Sequence, residues 1–113
     1  MGKVGFWGRS YAQFRSLPAE IQIAFEWAIL ELAADPASFP ESRDTRLVVV
    51  TESMCGPSGL RRIEVTRSSE DPGFRGIYFF DGSEVNFLRF SFRDPDTYRR
   101  IDRELTRLLA SLK

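Results

Sequence analysis

The sequence predicts an α+β domain in which helices pack on one face of an antiparallel sheet, in the element order β-α-α-β-β-β-β-α. Three observations support this prediction. Four segments after residue 45 have the β-branched or alternating pattern of strands. A segment beginning near residue 17 has apolar residues at helical spacing. The last twenty residues repeat that helical spacing after an N-cap signal.

The composition limits the class of protein. At 113 residues the chain is long enough for one core and too short for two, so we expect a single domain over residues 1–113. Apolar side chains make up 42% of the chain, which is too many for a disordered protein. No apolar run approaches the roughly 18 residues that a membrane span needs, and no signal peptide is recognisable. A lone cysteine, Cys55, fits a reducing compartment, so we expect a cytoplasmic protein without membrane contacts.

The first third of the chain predicts one strand and two helices. Residues 3–8 alternate weakly and indicate a short strand, and residues 10–16 indicate a short helix. A longer helix begins near Leu17-Pro18, where proline favours the first turn, and ends at Asp35-Pro36. This helix has two apolar stripes, one formed by Leu17, Ile21, Ala24, Phe25, Ala28 and Leu32 and the other by Ile23, Trp27 and Leu30. Such a helix either lies between two layers or is covered by a partner.

The remaining chain predicts a four-stranded meander and a final helix. Strands are predicted at residues 46–52, 60–67, 75–80 and 84–92, with Asp81-Gly82 as the hairpin turn between the last two. The first strand is expected at an edge or beside the last strand. In that last strand, Leu88, Phe90 and Phe92 are predicted to share one face, opposite Arg89, Ser91 and Arg93. The final helix begins at Asp94.

One group of residues has the chemistry of a phosphate site. Arg75 opens a strand, Arg93 ends the next strand, and Tyr98 lies in the first turn of the helix that follows. We expect these three side chains to meet at one end of the sheet. Two guanidinium groups there would bind a phosphate and stabilise additional negative charge on it. The chain has no histidine, so any general acid or base must be another residue.

The charge distribution favours a local site over a basic surface. The formal net charge is zero, with −2 in residues 1–59 and +2 in residues 60–113. All but one of the basic residues in the second half are arginines, which pair bidentately with phosphate. A high-GC coding bias toward arginine is an alternative explanation.

The element order and several short motifs resemble the RelE/ParE superfamily of bacterial toxins from type II toxin–antitoxin systems. The resemblance covers about residues 5–110 and is carried by Leu17-Pro18, Asp35-Pro36, Gly59-Leu60-Arg61-Arg62-Ile63, Phe74-Arg75-Gly76-Ile77-Tyr78, and Phe92-Arg93 followed by Tyr98-Arg99-Arg100-Ile101. It implies an mRNA endoribonuclease, often acting on the ribosome, that is neutralised by a cognate antitoxin. DNA would be contacted only through that antitoxin. RNA supplies its own 2′-hydroxyl nucleophile, so no metal or cofactor is expected.

The resemblance also implies roles for single residues. Arg75 falls on the arginine that stabilises the charged phosphate, Arg93 on a second arginine near the scissile bond, and Tyr98 on the tyrosine that stacks on a base or moves a proton. Arg62 falls on the first of two catalytic lysines of RelE, and Glu64 replaces the second. The remaining candidates, which would bind the RNA, are Arg61, Arg89 and Arg99.

Alternatives remain for these residues and for the function. Arg75 could pair with Glu64 or Glu84 across the sheet, Arg93 could form a surface ion pair, and Tyr98 could be a core residue. Glu64 could be the base that activates the 2′-hydroxyl, a role open to Tyr98 as well, or it could repel phosphate. The alternative functions are a ParE-like inhibitor of DNA gyrase and an inactive interaction module with the same fold.

Overall fold

The structure, a computed structural model, describes residues 3–41, 46–53, 59–67 and 73–92. These residues form an α+β fold, which confirms the predicted fold class. The helix predicted from Asp94 lies outside the described residues. The elements, in chain order, are β1 (Lys3–Phe6), α1 (Ser10–Arg15), α2 (Ala19–Ala34), β2 (Val48–Ser53), β3 (Leu60–Thr66), β4 (Phe74–Phe80) and β5 (Glu84–Phe92).

The five strands form one sheet in the order β1-β5-β4-β3-β2. Strands β2 to β5 make an antiparallel meander, as predicted. Strand β1 joins the sheet parallel to β5, with Lys3 opposite Glu84 and Phe6 opposite Phe87. The first strand was expected at an edge or beside the last strand, and β1 meets both descriptions.

Helix α2 covers one face of the sheet. Pro18 lies just before its first residue, and the Pro18 carbonyl accepts a hydrogen bond from the Gln22 amide. Gly76 on β4 allows the helix to approach closely, because a Cβ there would lie 3.1 Å from a ring carbon of Phe25 and 2.9 Å from one of Phe90. The rings of Phe25 and Phe90 pack edge to face over this position, with centroids 5.2 Å apart. The main core lies between the helices and the sheet and includes Phe14, Ile21, Phe25, Ala28, Leu32, Ile63, Val65, Tyr78, Val85, Phe87 and Phe90.

The hairpin between β4 and β5 is stabilised by Asp81. Its Oδ1 accepts hydrogen bonds from the backbone N–H groups of Glu84 at 2.7 Å and Ser83 at 3.0 Å. These bonds, the one from Glu84 above all, hold the pKa of Asp81 below its usual value. Gly82 has a φ of 102° and Ser83 a negative φ, the combination found in type II′ turns. The predicted hairpin is present, with Gly82-Ser83 as its central pair.

A β-bulge in β5 changes which residues share a face. Ile77 lies opposite Arg89 and Tyr78 opposite Phe87, so Leu88 is the extra residue. Leu88 and Arg89 consequently lie on the same face, the one turned away from the helices. The predicted common face of Leu88 and Phe90 is wrong, because strict alternation does not allow for the inserted residue.

The face of the sheet turned away from α1 and α2 has a smaller apolar cluster of its own. We call it the distal face. The cluster consists of buried Leu60, Ile77 and Leu88, against which Trp7 and Phe79 pack. The distal face also carries most of the charged side chains of β3, β4 and β5.

Candidate functional site

Four charged residues lie next to one another on the distal face. Arg62 and Glu64 alternate with the core residues of β3, Glu52 of β2 pairs with Arg62, and Arg75 of β4 pairs with Glu64. We call these four residues the charged row. Because they come from three adjacent strands, their relative positions are fixed by backbone pairing. The row contains two cations and two anions, so it has no net charge.

The central contact of the charged row joins Arg75 to Glu64. Arg75 Nη2 lies 3.1 Å from Glu64 Oε2, and the two side chains are 5% and 22% exposed, respectively. A guanidinium group so far removed from water requires a counter-charge, which Glu64 supplies. The structure thus contains the cross-strand ion pair that was one alternative for Arg75. The same contact also joins a candidate phosphate ligand to a candidate base.

A second ion pair joins Arg62 to Glu52. Its side chains are 21% and 48% exposed, so solvent screens it more than the pair formed by Arg75. Arg62 lies two residues from Glu64 on the same strand and the same face. The catalytic role that the resemblance to RelE implies for Arg62 stays a prediction.

The bulge in β5 brings a third arginine to this face. Arg89 lies opposite Ile77 and next to the charged row, and it is half-buried. Arg89 was predicted to bind RNA, and the structure places it on the same face as Arg75. The role itself stays a prediction.

Arg61 lies on the opposite face of the sheet from Arg75. Its guanidinium carbon is 4.3 Å from the ring centroid of Phe39 and 4.5 Å from that of Phe80. Arg61 Nη1 also donates a hydrogen bond to the Ala37 carbonyl at 3.2 Å. Arg61 thereby attaches the segment after α2 to the sheet, and the structure does not bring it together with the charged row.

Tyr78 is a core residue next to Arg61. Its side chain is fully buried, and burial raises the pKa of its hydroxyl, against a smaller opposing effect of the Arg61 guanidinium. The hydroxyl makes no hydrogen bond of good geometry within the described part of the chain, so the contact with Arg61 is weak. Tyr78 is consequently neutral at physiological pH and unsuited to act as a base.

Three predicted site residues lie outside the described residues, namely Arg93, Tyr98 and Arg99. The expected meeting of Arg75, Arg93 and Tyr98 at one end of the sheet therefore stays a prediction.

Sequence reasoning missed Ser91 as a site residue. Ser91 lies opposite Arg75 in β5, and its Oγ is buried without a hydrogen-bond partner in residues 3–41, 46–53, 59–67 and 73–92. A hydroxyl in that position can donate to a phosphate oxygen held by Arg75. The signal was present in the sequence, because Ser91 shares a face with Arg89 two positions earlier.

Metal-ligating side chains are not clustered in the described part of the distal face. Within the described ranges there is no group of three or more histidine, cysteine, aspartate or glutamate residues that could hold a metal ion. The charged row has two carboxylates, and each contacts an arginine. The described helices also include none that is long and apolar enough to cross a membrane.

Comparison with known proteins identifies the fold. No family model matches the chain, and neither does any curated protein sequence. The crystal structure of isolated RelE toxin from E. coli superposes with a TM-score of 0.59 at 16% identity, covering 91% of this chain and 98% of RelE. RelE in the intact E. coli RelBE toxin–antitoxin complex gives a TM-score of 0.58 at 17% identity, covering 83% of this chain and 99% of that one. The protein therefore has the fold of the RelE toxins.

Proposed function

We propose that this protein is the toxin of a type II toxin–antitoxin system and that it acts as a metal-independent mRNA endoribonuclease in the cytoplasm. The observation that carries the proposal is the contact between Glu64 and Arg75 on the distal face of a RelE-type sheet. Arg62 and Arg89 lie on the same face within the adjacent strands. Inhibition of translation would follow from loss of intact message.

The proposed reaction needs one base and stabilisation of charge on phosphorus. The 2′-oxygen of the RNA attacks the adjacent phosphorus, the bond to the 5′-oxygen breaks, and a 2′,3′-cyclic phosphate forms. The leaving 5′-oxygen takes up a proton from water and becomes a 5′-hydroxyl group. Glu64 accepts the proton of the 2′-hydroxyl. Arg75 donates to the non-bridging oxygens of the phosphorane, a contribution of about 2.7–4 kcal/mol for a well-aimed donor.

The ion pair does not prevent this chemistry. A guanidinium group has five N–H donors in a planar fork, so its chemistry allows Arg75 to contact Glu64 and a phosphate oxygen at the same time. Because the Arg75 side chain is only 5% exposed, RNA binding must first uncover it. The hydroxyl of Ser91, on the other side of Arg75, can donate to the same phosphate. In this proposal, Arg62 and Arg89, which lie on the same face, bind neighbouring phosphates of a single strand.

An antitoxin is the proposed protein partner. RelE, whose fold this chain shares, forms a complex with an antitoxin. DNA would be contacted only by that antitoxin. The mRNA would be bound directly, on or off the ribosome.

The proposal is tested with translating ribosomes. The purified protein is added to a programmed translation extract with and without EDTA, and new 5′ ends of the mRNA are mapped. Arg75→Lys keeps the charge opposite Glu64 but loses the planar fork, so cleavage should fall by about a hundredfold. Arg67→Lys, at the exposed ion pair with Glu20, is the matched control and should cleave normally. Full-length message at saturating wild-type protein would reject the proposal.

A gyrase inhibitor is the second candidate function. The observation that favours it is that Arg62 and Arg75 are both paired with carboxylates, an arrangement that is stable without RNA. In that case Arg75→Lys would inhibit growth as strongly as the wild type, and the protein would block supercoiling by purified gyrase. Expression without any growth inhibition would instead indicate an inactive module of this fold.

A further inference from the structure

Strands β3, β4 and β5 arrange the side chains of the distal face at three successive levels. Each level takes one residue from each strand, and the three residues lie opposite one another in the sheet. The first level is Glu64, Arg75 and Ser91, the second is Arg62, Ile77 and Arg89, and the third is Leu60, Phe79 and Asn86. Along β3 and β4 the levels are two residues apart, which is about 6.6 Å. An extended single strand of RNA spaces its phosphates by a similar distance, so each level has room for one nucleotide.

The third level is aromatic and uncharged, unlike the first two. Phe79 lies at this level, and Trp7, which follows β1, packs with it against the same apolar cluster. Both rings are only partly buried. The pairs of contacting aromatic rings in the described part of the chain lie on the side of the sheet that α1 and α2 cover, and they include neither Trp7 nor Phe79. Two aromatic side chains on one apolar support are the kind of surface on which nucleobases stack.

Asn86 adds a polar group at the third level. It lies opposite Phe79 of β4 and opposite Gly5 of β1. A Cβ at Gly5 would lie 2.8 Å from Asn86 Oδ1, so the glycine makes room for the side-chain amide. An amide combines an acceptor with two donors, a pattern that can pair with two atoms of one adenine edge. We call Trp7, Phe79 and Asn86 the base subsite.

We infer that the base subsite binds one base of the substrate RNA, two nucleotides from the scissile phosphate, and that it prefers adenine. The inference rests on the proposed function, because it takes the first level as the place where the scissile phosphate binds. Trp7 and Phe79 stack on the base, and the Asn86 amide pairs with its edge. Arg62 contacts the phosphate between the two, since a guanidinium group has donors beyond the one that reaches Glu52.

The first test measures binding without cleavage. The probes are 2′-deoxy hexanucleotides, which cannot be cleaved because they lack the attacking hydroxyl. Binding is followed by the emission of Trp7 in a Trp27→Phe background, which leaves a single tryptophan. Oligodeoxyadenylate should quench this emission and bind about tenfold more tightly than the same backbone without bases. Equal affinity of the two probes, or an unchanged Trp7 emission, would overturn the inference.

Matched variants locate the bound base. Phe79→Leu keeps an apolar side chain on the cluster but loses the ring, so it should bind oligodeoxyadenylate about tenfold more weakly. Phe39→Leu removes a ring that is 46% exposed and lies beside Arg61 on the other side of the sheet, and it should bind as the wild type does. Equal losses of affinity in the two variants would contradict a base subsite on the distal face.

The role of Asn86 is tested with a second base. Hypoxanthine has the ring system of adenine but lacks its amino group, so it loses one of the two contacts with the amide. The wild type should therefore bind oligodeoxyadenylate more tightly than oligodeoxyinosinate, and Asn86→Leu should bind both equally. Equal binding by the wild type would show that Asn86 does not select adenine.

Cleavage assays separate this inference from the proposed function. In the translation extract, Phe79→Leu should cleave mRNA about tenfold more slowly and with less preference for adenine two nucleotides from the cut, whereas Phe39→Leu should keep the wild-type sites. If the wild type cleaves mRNA and Phe79→Leu cleaves the same sites at the same rate, the inference fails and the proposed function stands. If the wild type cleaves no mRNA but oligodeoxyadenylate quenches Trp7, the proposed function fails and the base subsite stands.

Discussion

Arg75 Nη2 and Glu64 Oε2 lie 3.1 Å apart on neighbouring strands, and the arginine is almost completely shielded from water. From the sequence alone, Arg75 could be either a phosphate ligand or the partner of Glu64 in an ion pair, and this contact is compatible with both roles. It stabilises a buried charge, and it also positions a carboxylate beside a phosphate-binding group.

Removal of Glu64 should destabilise the protein. Glu64→Ala leaves the buried Arg75 guanidinium without this counter-charge, and because Glu64 is 22% exposed we expect a loss of about 2–3 kcal/mol, less than the 3–5 of a fully buried pair. Urea denaturation measures the change. The double variant Glu64→Leu with Arg75→Met, which removes both charges, should recover most of the stability. A single variant within about 0.5 kcal/mol of wild type would show that the pair is not coupled to folding.

Gly76 should not tolerate a side chain. A Cβ at this position would lie 2.9 Å from Phe90 and 3.1 Å from Phe25, so Gly76→Ala should reduce the free energy of unfolding by about 1–3 kcal/mol. Thermal or urea denaturation measures this loss. In a Phe25→Leu background the same substitution should cost less, because the smaller side chain gives the methyl group room. Equal losses of unfolding free energy in the two backgrounds would show that Phe25 of α2 does not limit the space at Gly76.

Arg61 should affect stability and not RNA cleavage. Arg61→Met removes the contacts of the guanidinium with Phe39 and Phe80 and its hydrogen bond to Ala37, with an expected loss of about 1–2 kcal/mol. Cleavage by the folded variant should stay at the wild-type rate, since Arg61 lies on the face opposite Arg75. Urea denaturation and RNA cleavage are measured on one preparation of Arg61→Met. A loss of cleavage without a loss of stability would indicate that Arg61 contributes to the site.

The hairpin turn should lose stability in acid through Asp81. The pKa of Asp81 is lowered in the folded protein, so its carboxylate stabilises the fold above the usual pKa of 3.8. That contribution disappears as the pH falls through the folded-state pKa, because Asp81 is then protonated in both states. The melting temperature of the wild type should exceed that of Asp81→Asn at neutral pH and match it well below pH 3.8. A difference that does not change with pH would contradict this assignment.

The sequence predicted those parts of the fold that depend on local pattern. The strands of the meander and the core face of α2 follow from periodicity, whereas the parallel orientation of β1 was not predicted. The face of Leu88 was predicted wrongly. The bulge at Leu88 arises from the pairing of Ile77 with Arg89 and of Tyr78 with Phe87, and it has no signature in the local sequence.

The candidate site was predicted less completely than the fold. Alternation already placed Arg61 on the same side of β3 as Ile63, yet the resemblance to RelE made it an RNA ligand. The contact between Glu64 and Arg75 required the register of two strands, which the sequence does not determine. The pairing of Arg62 with Glu52 depends on register in the same way.

The parallel pairing of β1 with β5 has a consequence for biosynthesis. Lys3 and Val4 are synthesised before every other residue of the sheet, whereas their partners, Glu84 and Val85, follow all of β2, β3 and β4. Strand β1 can therefore pair only after β5 has been synthesised. Because the two strands are far apart in the sequence, closing this contact is slow. The distal face is completed by the same late event, because β5 contributes Leu88 and Arg89 to it. A nascent chain that ends before Glu84 would accordingly contain every residue of the charged row but neither β5 nor the pairing of β1 with it.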